Sequence, residues 1–185
     1  LVERIRDGHV TGVGAASGAV AGLVAITPAC AFVAPWAAVV IGLVAGAVCA
    51  VAVTWKNRFG FDDSLDVVGV HLVGGLVGCL LIGFFATTKV NSLGIDGVFA
   101  GGGWSLLGKQ ALGSVAVALF SFVVTLLLAM LIDKTIGFRI SAADEVEGID
   151  LVEHGEIAYA RQVPVPDVVD NPVEDREHSM FGHHD

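Results

Sequence analysis

A run of 48 residues without Asp, Glu, Lys or Arg, between Asp7 and Lys56, is the feature that most constrains this chain. Residues 67–88 and 110–132 are equally uncharged. A helix that crosses a bilayer needs about 20 predominantly apolar residues. The two shorter runs therefore fit one span each, and the first is long enough for two, with a break at residues 27–35. The pattern predicts an all-α, polytopic membrane protein with about four transmembrane helices.

The expected order along the chain alternates helices with loops. The membrane helices are predicted at residues 10–26, 36–55, 67–86 and 106–132, so that 10–55 holds two helices joined by a short external turn near 27–35. The remaining segments are predicted as cytoplasmic loops at 1–9 and 56–66, an external Gly-rich loop at 87–105, a cytoplasmic tail at 133–160 and a disordered acidic tail at 161–185.

The distribution of positive charge predicts the orientation in the cell membrane. With an even number of spans both ends of the chain lie on one side. The loops on that side carry more Lys and Arg than the opposite loops: Arg4, Arg6, Lys56, Arg58, Lys134 and Arg139 against Lys89 and Lys109. Because cytoplasmic loops are enriched in basic residues, the carboxy-terminal tail is expected to be cytoplasmic.

The net charge of −9 is confined to the tail. Acidic and basic residues cancel up to Ile132, six against six, and the excess lies after it. This balance predicts a separate aqueous tail and no binding of nucleic acid by charge. The chain has no Ser, His and acid set in one plausible pocket, no phosphate-binding loop and no spaced Cys/His ligand set. We therefore expect no enzyme activity, no cofactor and no metal site, and His183 with His184 lacks a third ligand.

One histidine, His71, lies inside the uncharged run VVGVHLVGGLVGCLLIGFFA. An ionisable residue within a membrane span is by default a functional candidate. On a regular helix Gly74, Gly75 and Gly78 fall on the same side as His71, at offsets of three, four and seven residues. The predicted face is one imidazole above bare backbone, where either a neighbouring helix packs closely or a narrow lumen runs.

The alternative for His71 is a position near the cytoplasmic membrane surface. It follows Asp66 by five residues, or about 7.5 Å of helix rise, and this spacing fits either position. The neighbouring glycines favour a functional role, because an interfacial histidine needs no bare backbone beside it.

The polar cluster Asp62, Asp63, Ser64 and Asp66 precedes this helix. Side-chain oxygens at a helix start accept hydrogen bonds from unpaired amides, and negative charge there is stabilised by the helix dipole. We expect Asp63 or Ser64 to cap the helix and Asp66 to lie in its first turn. A cation site is the alternative.

Three segments carry a resemblance to a known family. DDSLDVVGVHLVGGLVG at 62–78 resembles the tenth-helix signature of the ammonium transporter family, with His71 at the position of a pore histidine. GAASGAVAGLVAITPACAFV at 14–33 resembles the eighth span of that family, and FRISAADEVEGIDLVEHGEIAYA at 138–160 resembles its cytoplasmic tail. Leu72 and Ala31 stand where glycine is common in the family, and Leu72 could narrow the wall beside His71.

The resemblance implies an eleven-span fold of which this chain, beginning at Leu1, is a carboxy-terminal portion. It implies a homotrimer in which each subunit conducts ammonium or ammonia through a narrow apolar pore with two hydrogen-bonded histidines, of which His71 is the second. It further implies that the tail packs at the cytoplasmic pore mouth and helps to bind a PII-type signal protein. The tail residues concerned are Glu147, Gly148, Asp150, His154, Gly155, Glu156 and Tyr159.

Ammonium transport is therefore the predicted function, with two alternatives. An ammonium sensor of the same fold would use substrate binding to drive a signal through the tail, although no kinase or cyclase domain follows the tail. A structural membrane subunit would conduct nothing, and substitution of His71 would leave it unaffected.

Overall fold

The computed structural model describes residues 1–156. These residues form helices and turns, with no β-strand among them. The main α-helices are α1 (Val2–Asp7), α2 (Gly12–Ile26), α3 (Pro35–Ala52), α4 (Trp55–Phe59), α5 (Val73–Phe85), α6 (Ser105–Thr135) and α7 (Ala142–Glu147). Two π-helical turns, Val67–Leu72 and Asp150–His154, and a 3-10 turn at Val98–Ala100 complete the described structure.

Three helical stretches are long and apolar enough to cross a membrane: Pro35–Phe59, Val67–Phe85 and Ser105–Thr135. The apolar helix α2 has 15 residues, which corresponds to about 22 Å of rise. That length is shorter than the roughly 30 Å hydrocarbon core of a typical bilayer. The segment predicted as the first span thus contains a shorter helix, followed by consecutive turns from Thr27.

Two short helices occupy segments expected to be loops. Helix α1 ends at Gly8 (φ 80°) and α4 ends at Gly60 (φ 68°). A glycine in the left-handed conformation commonly ends a helix because it lacks a Cβ. Both helices are only one or two turns long. A helix this short need not show an apolar periodic pattern, so the sequence did not reveal either of them.

Residues Leu1–Leu127 form one compact unit, in which α2, α3 and α5 pack together. The core is made largely of small side chains, because the helices approach closely. A Cβ at Gly78 would overlap the carbonyl oxygen of Ala25, and a Cβ at Gly83 would lie 2.6 Å from the Cα of Leu107. Close backbone approach of this kind is common where helices pack in lipid.

A second unit begins at Leu128. Its described part contains the end of α6, then α7 and the π-helical turn Asp150–His154. The Ser141 hydroxyl accepts a hydrogen bond from the amide of Asp144 at 3.1 Å and donates one to its carboxylate at 2.7 Å. Ser141 is therefore the amino-terminal cap of α7.

Candidate pore-histidine site

His71 lies in the π-helical turn Val67–Leu72, directly before α5. Its side chain is exposed, whereas the neighbouring Val70 is only 4% exposed. The buried line of this helix continues from Val70 through Gly74 and Gly78 to Ile82, one residue in every four. The imidazole therefore lies outside the surface by which α5 packs on its neighbours.

The three glycines that the sequence predicted on one face with His71 have different surroundings in the structure. A Cβ at Gly74 would lie 3.3 Å from the Cys49 Sγ, and the contact of Gly78 with Ala25 is closer still, so these two glycines serve helix packing. At Gly75 a Cβ would meet nothing within 4 Å. Each residue of a π-helix rotates the chain by less than an α-helical residue does. The turn containing His71 therefore shifts the imidazole away from the line of Gly74 and Gly78.

The π-helical turn itself is held against the end of α3. A Cβ at Gly69 would lie 2.8 to 3.0 Å from atoms of Val53, so no larger residue fits at that position without a shift. The thiol of Cys49 lies 3.8 Å from the carbonyl oxygen of Val70, as a weak hydrogen-bond donor would. These two contacts fix the backbone of Gly69 and Val70, the two residues that precede His71.

Asp63 supplies the cap of this turn. Its carboxylate accepts hydrogen bonds from the amides of Val67 at 2.7 Å, Val68 at 3.0 Å and Gly69 at 3.4 Å. These are the amides that a helix start leaves without intrahelical partners. Ser64 lies exposed in the preceding turn, and Asp62 is also exposed.

Asp66 occupies an unusual backbone conformation immediately before the π-helical turn. Its φ of 55° is the one positive value among the non-glycine residues of the described chain. Its carboxylate forms an ion pair with Lys56, whose Nζ lies 2.5 Å from Oδ1 and also donates to the carbonyl oxygen of Asp63 at 3.1 Å. Sequence reasoning did not connect Lys56 with this site, because the contact joins α4 to the residue before the π-helical turn across an irregular segment of backbone.

The segment between α5 and α6 carries a second polar contact that sequence reasoning missed. The carboxylate of Asp96 accepts hydrogen bonds from the amide of Thr88 at 2.7 Å and from its hydroxyl at 3.1 Å. The hydrogen bond from the Thr88 amide is the main reason why the pKa of Asp96 lies below its usual value. This contact closes the loop that the sequence analysis described only as Gly-rich.

Aromatic side chains cluster beside this loop. The ring of Phe99 lies 5.6 Å from that of Phe84 and 5.1 Å from that of Phe85, between ring centroids. Trp36 lies 5.6 Å from Phe85, and Trp104 lies 6.0 Å from Phe84, both nearly edge to face. Exposed Trp side chains at a helix end are typical of the membrane–water interface.

The predicted tail residues are described up to Glu156. Glu147 ends α7, Gly148 follows it with φ 119°, and Asp150 to His154 form the second π-helical turn, which ends at Gly155. The amide of Glu156 donates to the carbonyl oxygen of Asp150 at 3.1 Å. Tyr159 and the predicted acidic tail at 161–185, with His183 and His184, lie outside the described residues. Within residues 1–156 no group of three His, Cys, Asp or Glu side chains could hold a metal ion.

Comparison with known proteins gives a consistent result. The model of the Ammonium Transporter Family matches residues 1–159. The ammonium transporter of Mycobacterium tuberculosis H37Rv is 52% identical over 164 residues, which cover 86% of this chain and 34% of that protein. The chain thus spans about a third of the length of this relative.

Solved structures agree with the sequence comparisons. The crystal structure of Saccharomyces cerevisiae Mep2 matches 77% of this chain and 33% of its own length, with a TM-score of 0.71 and 38% identity. A structure described as a sensor Amt protein matches 82% of this chain and 36% of its own length, with a TM-score of 0.70 and 28% identity. The predicted all-helical membrane fold is confirmed, and the relatives are transporters rather than enzymes. This chain belongs to the ammonium transporter family.

Proposed function

We propose that this chain is the carboxy-terminal part of a longer transporter that conducts ammonium or ammonia across the cell membrane. The observation that carries the proposal is an exposed imidazole, His71, in a helix whose other side packs tightly on α2 and α3. In a family of ammonium transporters, such a polar group on an apolar helix is suited to line a pore. Reading the upstream coding sequence tests the first part, and we expect seven further spans with a histidine in the fifth.

The physical basis of the proposal is the difference in desolvation cost between an ion and a neutral molecule. Moving bare ammonium into an apolar pore is far more costly than moving ammonia, which carries no net charge. A neutral imidazole offers one hydrogen-bond donor and one acceptor. His71 can therefore guide a small polar molecule, paired with a second histidine from the part of the protein that precedes this chain.

Replacement of His71 by Ala in the full-length transporter tests the role of the imidazole. We expect ammonium uptake to fall about tenfold, equivalent to roughly 1.4 kcal/mol of barrier, or the discrimination against methylammonium to change. His9→Ala is the matched control, because His9 lies outside the membrane helices and its Nδ1 contacts the carbonyl oxygen of Asp7. Unchanged uptake of both ammonium and methylammonium in His71→Ala would contradict the proposal.

The assembly and the regulatory partner are further parts of the proposal, supported by the family membership. We propose a homotrimer with one pore per subunit and a cytoplasmic tail that helps to bind a PII-type signal protein. Tail residues Glu147 to Glu156 carry four carboxylates, no Lys or Arg, and one π-helical turn, which suits a binding surface. Deletion of residues 141–160 is expected to weaken PII binding and alter the transport rate. If both remain unchanged, the tail has neither role.

A sensor function is the second candidate, because one similar structure is described as a sensor Amt protein. The two candidates differ in flux. A sensor would bind ammonium and change the state of its tail without useful uptake, whereas a transporter restores growth on limiting ammonium in cells that lack their own transporters. Growth restored by the full-length protein would favour transport.

A further inference from the structure

We infer that Lys56 is a positioning residue for His71: its ammonium group anchors the π-helical turn that carries the histidine. The inference rests on the proposed role of His71 in transport and adds a residue that directs it. Lys56 lies in α4, 15 positions before His71 in the sequence, and its side chain reaches the start of the turn.

The anchor has two linked parts. Lys56 donates to the carboxylate of Asp66 and to the carbonyl oxygen of Asp63. The carboxylate of Asp63 in turn accepts from the first amides of the π-helical turn, beginning with Val67. The charged Nζ of Lys56 therefore holds the backbone of Asp63, which caps the turn, and the side chain of Asp66, after which the turn begins.

The backbone of Asp66 shows why an anchor is needed there. A left-handed conformation in a residue with a side chain has a conformational cost, and it persists when the surrounding structure determines it. Lys56 and Asp66 have side chains only 26% and 23% exposed, so water and salt screen their attraction less than that of a surface pair. The ion pair thus favours the conformation in which the chain enters the turn.

The conformation of Asp66, where the chain enters the turn, sets the direction of the His71 side chain. It does so because Gly69 and Val70, later in the turn, are already held in place. Gly69 packs on Val53 at the end of α3, and the carbonyl of Val70 contacts Cys49 of the same helix. Lys56 lies in α4, which begins shortly after the end of α3. The carboxy-terminal end of α3 and the residues after it therefore hold the turn at Asp66, Gly69 and Val70, and His71 is the next residue.

Transport assays on the full-length protein test the consequence for His71. In Lys56→Met, which keeps most of the side-chain stem, we expect the ratio of methylammonium to ammonium uptake to change about threefold or more, with the amount of protein in the membrane unchanged. Lys56→Arg retains the charge and is expected to restore the ratio toward that of the unmodified protein. Arg58→Met is the control, because it removes an exposed cation from the same short helix.

A double substitution separates positioning from general damage. If the pair acts as one unit, Asp66→Asn alone changes the uptake ratio as Lys56→Met does, and the two together change it no further. Additive effects of the two substitutions, or an equal effect of Arg58→Met, would overturn the inference.

Hydrogen exchange keeps this inference distinguishable from the proposed function. We expect the amides of Val67, Val68 and Gly69 to exchange about threefold faster or more in Lys56→Met than in Arg58→Met, because the anchor no longer holds the cap. Unchanged exchange would overturn the anchor whatever the transport data show. Faster exchange together with unaffected uptake in His71→Ala would reject the transport role of His71 and leave the anchor of the turn standing.

Discussion

Gly78 of α5 packs directly on the backbone of Ala25 in α2, so closely that a Cβ at Gly78 would overlap the Ala25 carbonyl group. The two residues are far apart in the sequence, and their contact sets the distance between two helices of the first unit. Gly78→Val should therefore force the helices apart. We expect a loss of about 2 kcal/mol or more in stability, typical of overpacking, measured as a lower midpoint of thermal unfolding in detergent.

Gly75→Ala is the matched control for that substitution. A Cβ at Gly75 meets nothing within 4 Å. Alanine also favours a helix interior over glycine by roughly 0.5–1 kcal/mol, so the thermal midpoint should stay the same or rise. A midpoint that falls as far in Gly75→Ala as in Gly78→Val would show that the packing contact does not explain the effect.

Removal of the Asp63 cap should destabilise the start of the helix that carries His71. Asp63→Ala leaves three amides without their acceptor, and loss of a helix cap costs about 1 kcal/mol. Unfolding in detergent measures the change, and amide exchange at Val67 locates it. Ser64→Ala, at an exposed neighbouring position, should shift stability by less than about 0.5 kcal/mol. An equal effect at both positions would argue against a specific cap.

The contact between Asp96 and Thr88 should make the loop between α5 and α6 sensitive to acid. The folded pKa of Asp96 lies below the ordinary value of 3.8 because the Thr88 amide donates to the ionised carboxylate. The stabilisation is therefore complete above that ordinary value and is lost as the pH falls through the lowered pKa. We expect the Thr88 amide, corrected for its intrinsic rate, to become less protected across this acidic range.

Asp96→Asn is the control for the acid effect. The amide side chain keeps an oxygen acceptor but does not titrate, so protection at Thr88 should be weaker at neutral pH and should no longer change with acid. If the acid dependence persists in Asp96→Asn, another group is responsible for it.

If His71 lines a pore as proposed, Leu72 should limit the width of that pore beside the imidazole. It is 46% exposed and adjacent to the imidazole, at a position where the family resemblance suggests glycine. Leu72→Gly is expected to raise methylammonium uptake relative to ammonium uptake, because the larger substrate gains most from added space. Leu80→Gly is the control, since it carries the same helix cost of about 1 kcal/mol at an exposed position of α5. A similar change in this uptake ratio in both variants would contradict the prediction that Leu72 limits the width beside His71.

The predictable part of this protein rests on local features. The uncharged runs predicted membrane helices because a helix that crosses a bilayer needs about 20 apolar residues, whatever the rest of the chain contains. The acceptor oxygen of Asp63 before an apolar helix predicted a cap for the same local reason, although the choice between Asp63 and Ser64 needed the structure. The family resemblance at residues 62–78 identified His71 as the candidate pore residue.

The tertiary structure decided what depends on distant contacts. A regular helix would align His71 with three glycines, but packing of Gly69 on Val53 and the π-helical turn place Gly74 and Gly78 in the interface and leave His71 outside it. Lys56 meets Asp66 only because the segment between α4 and that turn folds back onto Lys56. Apolar composition is a property of each segment alone, so the sequence determined the three helical stretches that are long enough to cross a membrane, whereas the first predicted span contains only the 15-residue α2. The direction of one side chain depends on which backbones meet, so only the folded chain determined the setting of His71.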